Sequence, residues 1–119
     1  MNSNSNPYRI KGVVIDNKIL LGLKDLRVEA WDKDFLFDDA LGFADTDQQG
    51  AFEICFDEDR FQGFFERGPD LYFKIFHHNI CIASTENFVL WNRKSGDIPV
   101  SMLAGRGMGA AGKAVNLGG

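Results

Sequence analysis

A string of seven residues at positions 46–52 separates two runs in which apolar and polar residues alternate. It reads Thr-Asp-Gln-Gln-Gly-Ala-Phe, so a polar corner ends in Gly50 and passes at once to the aromatic Phe52. Such a corner is a compact hairpin signal, because Gly tolerates turn conformations and the flanking runs have the period of strands. The string therefore predicts two neighbouring short strands and directs the chain toward a β fold.

Other runs with a period of two residues predict further short strands. Leu26, Val28 and Ala30 are expected to face inward, and the residues between them outward. Residues 70–77 are nearly continuous in apolar side chains, which is typical of a central strand. About seven strands are predicted in all, over residues 8–15, 26–31, 41–46, 51–56, 70–77, 80–85 and 98–103.

Two segments between these strands have different patterns. Phe61, Phe64 and Phe65 have helical spacing and follow Asp57, which can cap a first turn, so they predict one short helix over about 57–67. The apolar segment 19–23 is expected to pack as a loop that bends at a glycine.

Length and strand spacing predict a single all-β domain. The chain has 119 residues, which suits one core, and closely spaced short strands are typical of a sandwich of two antiparallel sheets. Its 11 phenylalanines are expected to supply that core. We divide the chain into a flexible leader at 1–7, a β-sandwich at 8–103 and a Gly/Ala-rich tail at 104–119.

Charge and segment composition narrow the possible partners. The formal net charge is −4 and the basic residues are scattered, so nucleic acid is not an expected partner. No apolar run approaches the length of a membrane span, and membrane insertion is not expected. The first seven residues have no signal-peptide pattern, so we expect a protein that is cytoplasmic as synthesised, with export as part of a secretion assembly left open.

An ordered set of short motifs resembles the transthyretin-like and carboxypeptidase regulatory-like (prealbumin-like) domains. The set comprises Gly-Val-Val at 12–14, Gly-Leu at 22–23, Leu-Arg-Val-Glu-Ala-Trp-Asp at 26–32, Asp-Ala-Leu-Gly at 39–42 and the corner at 46–52. Pro-Asp-Leu-Tyr-Phe-Lys-Ile-Phe at 69–76 is similar to the strand that follows the helix in bacterial members. The resemblance implies a two-sheet transthyretin-like sandwich over about 8–103.

Similar modules occur in bacterial toxin-complex proteins and in the spike proteins of contractile secretion systems. The resemblance therefore implies a non-enzymatic structural or protein-binding module, an accessory subunit of a bacterial assembly such as a spike, injection apparatus or fibre. Its partner is expected to be another protein or further copies of itself. Aromatic residues near the 31–39 loop and anchors in the tail are the expected contacts, namely Trp31, Phe35, Phe37, Arg106, Met108, Lys113, Val115 and Leu117.

A binding module for Ca²⁺ or another small ligand is the first alternative. Asp32, Asp34, Asp38 and Asp39 occur in one loop, and Ca²⁺ requires several oxygen ligands from converging loops. The same side chains can instead cap turns in a solvated loop. Apart from this Ca²⁺ alternative, no cofactor is expected.

An enzyme is the second and less favoured alternative. The resembled superfamily includes 5-hydroxyisourate hydrolase, which uses His and Arg residues and a C-terminal Tyr-Arg-Gly-Ser, whereas this chain ends Asn-Leu-Gly-Gly. The adjacent His77 and His78 are expected to point to opposite faces of a strand, which argues against one shared site. Cys55 and Cys81 are expected to be reduced and half-buried, with a disulfide left open.

Overall fold

A computed structural model describes residues 7–34, 37–57, 68–105, 112–113 and 115–118, and shows two β-sheets packed face to face. The predicted all-β sandwich is confirmed. Its strands are β1 (Tyr8–Asp16), β2 (Arg27–Asp32), β3 (Asp39–Asp45), β4 (Ala51–Phe56), β5 (Leu71–His77), β6 (Ile80–Ser84), β7 (Gly96–Ala104), β8 (Gly112–Lys113) and β9 (Val115–Gly118).

Seven of these strands correspond to the predicted ones, and the short β8 and β9 come from the tail. Of the helix predicted over about 57–67, residues 58–67 lie outside the described part of the chain, as do residues 1–6 of the leader predicted at 1–7. Within the described ranges, we find no helix with the length and apolar character that a membrane span requires.

The strand order is β4-β1-β7-β9 in the first sheet and β3-β2-β5-β6-β8 in the second. Strand β5 lies between β2 and β6, as expected for the most apolar run. Strands β1 and β7 are parallel, so the expectation of antiparallel strands throughout is wrong at this pair. The connection after β6 brings the chain back to the end where β1 begins, since the Gly96 N–H donates to the Pro7 carbonyl at 3.0 Å.

The core lies between the inward faces of the two sheets. Val28 and Ala30 of β2 are fully buried, as their alternation predicted. Phe52 of β4 and Phe73 of β5 meet edge to face across the sheets, with ring centroids 6.4 Å apart. Each fully buried large side chain of this kind stabilises the fold by about 2 kcal/mol. Other phenylalanines, including Phe43 at 57 % exposure, lie on the surface, so the expectation of a phenylalanine-filled core holds only in part.

The corner at 46–52 forms a turn but not a hairpin. Strand β3 is an edge of the second sheet and β4 an edge of the first, so the strands on either side of the turn do not pair with each other. The buried Thr46 explains the change of sheet, because its hydroxyl donates to the Leu23 carbonyl at 2.6 Å and accepts from the Leu26 N–H at 3.0 Å. The corner is thereby held against the β1–β2 connection rather than continuing one sheet.

Parts of the tail pair with the sandwich. Strand β8 adds to β6 in parallel, and β9 adds to β7 in antiparallel orientation. Each sheet therefore receives a short strand from the tail at one edge, while the boundary between sandwich and tail stays a prediction.

Both cysteines are free and exposed. Cys55 lies on β4 and Cys81 on β6, which belong to different sheets. The expectation of half-buried thiols is therefore wrong, because both residues occupy outward positions of their strands.

Candidate protein-binding surface

The outer face of the second sheet carries a layer of aromatic and charged side chains. Trp31 of β2 is paired with Tyr72 of β5, and their rings stack with centroids 6.4 Å apart. The Lys74 ammonium lies 4.1 Å from the centroid of the Trp31 ring, and the Trp31 indole donates to Glu29 at 3.1 Å. Trp31 thus faces outward as predicted but is partly covered by its neighbours.

The 33–38 loop, which follows β2, is tied to this face by one carboxylate. The Asp38 side chain accepts from the Tyr72 hydroxyl at 2.5 Å and from the Asp34 N–H at 2.9 Å. Burial and the bond to Asp38 raise the pKa of Tyr72 well above its ordinary value. Desolvation opposes ionisation of Asp38, but the Asp34 and Tyr72 hydrogen bonds prevail and lower its pKa. At neutral pH the contact is therefore a charge-assisted bond from a protonated phenol.

A second link joins the loop to the segment after β6. The Lys33 ammonium donates to Glu86 at 2.7 Å, and the Lys33 N–H donates to the Asp70 carbonyl at 2.8 Å. The Lys33–Glu86 pair is exposed and contributes little stability by itself. Together with Asp38, it nevertheless fixes the position of the loop at both ends.

Asp32 is the most buried carboxylate of this region. It is 8 % exposed, and its Oδ1 accepts from the Asp70 N–H at 2.8 Å. Desolvation raises the pKa of Asp32 to about 6, with the Asp70 N–H opposing and the neighbouring carboxylates of Asp70, Asp39 and Asp34 adding to the rise. Asp32 thus joins the end of β2 to the start of β5.

The four predicted Ca²⁺ ligands have separate partners. Asp32 bonds the Asp70 backbone and Asp38 bonds Tyr72, while Asp39 begins β3. No cluster of three or more carboxylate, imidazole or thiol groups fit to hold a metal ion occurs in the described ranges. The calcium site at Asp32, Asp34, Asp38 and Asp39 stays a prediction that the observed contacts do not favour.

Two exposed aromatic side chains lie at the end of the sandwich that carries the 33–38 loop, one of them in the loop itself. Phe37 is 79 % exposed, and Trp91, in the segment that follows β6, is 57 % exposed. The other predicted docking residues fall elsewhere. Phe35, Arg106 and Met108 are outside the described ranges, while Lys113 lies in β8 and Val115 and Leu117 lie in β9.

The two histidines are exposed where β5 ends, since His77 is the last residue of β5 and His78 begins the turn to β6. Their ring centroids are 4.0 Å apart, so the expectation that the rings point to opposite faces is wrong. His78 has a φ of 50°, which takes it out of the strand and breaks the alternation. Exposure at a turn does not provide the enclosed His–Arg or His–Asp pair that the hydrolase alternative needs.

The sequence interpretation missed Tyr72 and Glu86. Tyr72 is only 2 % exposed although it points outward, and it contacts Trp31 through its ring and Asp38 through its hydroxyl. Within a nearly continuous apolar strand, no local signal separates an outward Tyr from its inward neighbours. To recognise Tyr72 as an outward residue, one must know the register between β5 and β2 and hence that Tyr72 is paired with Trp31.

No protein-family model matches the chain, and no curated protein matches it. Among solved structures, the chain is similar to a 9R-lipoxygenase from Cyanothece, with 21 % identity and a TM-score of 0.57. The likeness covers 82 % of this chain but 16 % of the lipoxygenase chain. Because identity is so low, the likeness concerns the fold alone. The chain therefore shares a β-sandwich fold with a small part of a much longer protein.

Proposed function

We propose that this chain is a non-enzymatic protein-binding module of a bacterial multi-protein assembly. Its docking surface is formed by the 33–38 loop and the Trp31–Tyr72 face beside it. The observation that carries the proposal is the 79 % exposure of Phe37 on a loop whose neighbouring residue, Asp38, is bonded to Tyr72. Aromatic residues, Phe among them, are enriched at the cores of protein interfaces, so an exposed ring next to an anchored residue suits an interface anchor.

The anchored loop reduces the cost of binding. A loop that orders on association loses conformational entropy, and this loss lowers affinity. Here the Asp38 side chain, next to Phe37, already accepts hydrogen bonds from the Tyr72 hydroxyl and the Asp34 N–H. A partner pocket that accepts the Phe37 ring would therefore gain most of the burial energy of the ring.

The charges around Phe37 define the chemistry of the partner. Asp34 and Asp38 flank it in the loop, and Asp39 begins the next strand. Lys33 is the nearest cation in sequence and is paired with Glu86. A complementary surface would have an apolar pocket rimmed by Lys or Arg side chains.

The transthyretin-like assignment is part of the proposal. It is supported by the ordered motifs, which fall on β1, the β1–β2 connection, β2, β3, the turn before β4, and β5, and by their arrangement in two packed sheets. The role in a spike, injection apparatus or fibre follows from that resemblance by analogy.

The tail offers a second mode of contact. Strands β8 and β9 show that tail residues 112–113 and 115–118 can pair with sheet edges. The same pairing with a neighbouring copy would join subunits by strand addition or exchange.

Site-specific photo-crosslinking in the native cell tests this proposal. A photoreactive phenylalanine analogue replaces Phe37 in one variant and Ile80, which is 63 % exposed at the start of β6, in a matched control. We expect a discrete protein adduct from position 37 and none of the same mass from position 80. Equal adduct patterns at the two positions would refute the docking surface.

A further inference from the structure

Three consecutive aliphatic side chains project into solvent from the β1–β2 connection. Ile19 is 56 % exposed, Leu20 66 % and Leu21 63 %, and we call these residues the apolar tip. The expectation that segment 19–23 packs as a loop is wrong for them, whereas Leu23 is buried at 7 %. The tip precedes β2 and Phe37 follows it, so the two features lie at opposite ends of that strand.

The backbone of the tip is hydrogen-bonded to Asp16, the last residue of β1. The Asp16 carboxylate accepts from the N–H groups of Lys18 at 2.8 Å and Ile19 at 3.3 Å. The Leu20 N–H donates to the Asp16 carbonyl at 2.9 Å, and the Asp16 N–H donates to the Leu21 carbonyl at 2.8 Å. An unsatisfied backbone group costs several kcal/mol in an apolar medium, which this arrangement avoids for these donors. The N–H groups of Ile19 and Leu20 and the carbonyl of Leu21 can therefore leave water without losing a hydrogen bond.

A close backbone contact holds the tip in place. Gly22 lies directly against the 47–50 turn, where a Cβ at position 22 would come within 1.9 Å of the Gln49 carbonyl oxygen. Leu20 has a φ of 60°, a left-handed turn conformation, and its side chain is 66 % exposed. The tip is thus a convex, preformed apolar projection and not a groove for a partner's side chain.

Two lysines flank the tip. Lys18 precedes it and Lys24 follows it, and both are exposed. The acidic Asp16 is buried and accepts bonds from the turn, so it adds little charge to the surface. Asp25 follows Lys24, and Asp47 is exposed on the turn that contacts Gly22, so two carboxylates offset the charge of the two lysines. Lysines beside an inserted apolar group reach the phosphates of a bilayer while their stems remain at the interface.

We propose that the apolar tip inserts into the interface of a bilayer that contains anionic phospholipid. Aliphatic side chains enter the boundary between headgroups and acyl chains, and the flanking lysines contact phosphates. The contact is interfacial and requires no membrane-spanning segment. It goes beyond the protein-binding proposal and uses the other end of the sandwich.

Vesicle co-sedimentation tests this inference. The full chain is mixed with phosphatidylcholine vesicles that either contain or lack phosphatidylserine. The double variant Ile19→Ser/Leu21→Ser and the control Phe37→Ser are measured in the same way. Each variant is first shown to have the urea-unfolding midpoint of the wild type. We expect the wild type to sediment with the anionic vesicles, the double variant to bind at least about tenfold more weakly, and the control to bind as the wild type. Lys18→Ser/Lys24→Ser should reduce binding and remove its salt dependence.

A second variant keeps the test independent of the serine substitutions. With Ile19→Trp, we expect the emission to shift to shorter wavelength when anionic vesicles are added. The inference would be overturned if the wild type did not bind the anionic vesicles, or if Phe37→Ser weakened vesicle binding as much as the double variant does. It would also be overturned if the double variant bound the vesicles as the wild type does. A tip-dependent dimer without vesicle binding would overturn it as well. Because the crosslinking from Phe37 is measured separately, either proposal can fail alone.

Discussion

The hydroxyl of Tyr72 donates to the carboxylate of Asp38 at 2.5 Å and joins residues that are 34 positions apart in sequence. This bond connects the central strand β5 to the loop that carries Phe37. It explains how a loop with an exposed aromatic side chain is positioned by the rigid part of the sandwich, and it suggests the first test.

Replacement of Tyr72 by Phe should lower the free energy of unfolding by about 1.5 kcal/mol. The change removes a hydrogen bond to a charged acceptor and keeps the ring that stacks on Trp31. Urea denaturation measures the effect, and a double-mutant cycle with Asp38→Ala isolates it. A coupling of roughly 1 kcal/mol is expected. Strictly additive effects would show that the two groups do not stabilise each other.

Asp32 should make the protein less stable as pH rises through the weakly acidic range. The pKa of the folded-state carboxyl is raised by desolvation from 3.8 to about 6, so the folded state binds a proton more tightly than the unfolded state. The contribution of Asp32 to the free energy of unfolding is therefore greatest below about pH 4 and is lost as the pH rises through about 6, by roughly 3 kcal/mol at most.

The side chain of the variant Asp32→Asn retains an oxygen that can accept a hydrogen bond from the Asp70 N–H. Unlike the carboxyl group, this amide does not ionise. We expect its unfolding free energy to lack this decline, as measured by urea denaturation across the same pH range. An identical pH profile for the variant and the wild type would contradict the assigned cause.

Gly22→Ala should be strongly destabilising, by about 3 kcal/mol. A Cβ at this position would meet the Gln49 carbonyl oxygen at 1.9 Å, and both groups belong to the backbone, so neither can move aside. Gly105→Ala is a suitable control, because its Cβ would approach only Asn17, at 3.7 Å. Thermal unfolding should separate the two variants, and similar melting temperatures would disprove the close contact.

Truncation after Gly105 should destabilise the sandwich and promote self-association. The truncated chain loses β9 and exposes the edge of β7 with which β9 pairs. Analytical ultracentrifugation and thermal unfolding should show a lower melting temperature and larger species. Unchanged values for both would mean that tail pairing does not contribute to the fold.

The strands were predictable because their alternation reflects which side chains are buried. Val28 and Ala30 are examples, since both are fully buried and the residue between them faces outward. The direction of β7 was not predictable, because it depends on the end at which the long connection after β6 leaves the second sheet. The turn at 46–52 was recognisable, but its change of sheet depends on the contacts of Thr46 with a distant segment.

The candidate surface was predictable only in outline. Trp31 and Phe37 were singled out because large apolar residues stand among charged ones. Tyr72 was missed because its role comes from the register between β5 and β2. Ile19 and Leu21 were expected to pack because apolar residues usually do, and only the tight turn at Asp16 shows that they project outward.

The affinity of the crosslinked partner for wild type, Phe37→Ser and Ile80→Ser tests the protein-binding proposal most directly. Isothermal titration calorimetry with the purified partner should show at least about a tenfold loss for Phe37→Ser, because a buried aromatic anchor typically contributes more than 1.4 kcal/mol. Ile80→Ser should bind as the wild type does. Equal dissociation constants for wild type and Phe37→Ser would contradict a docking surface centred on Phe37.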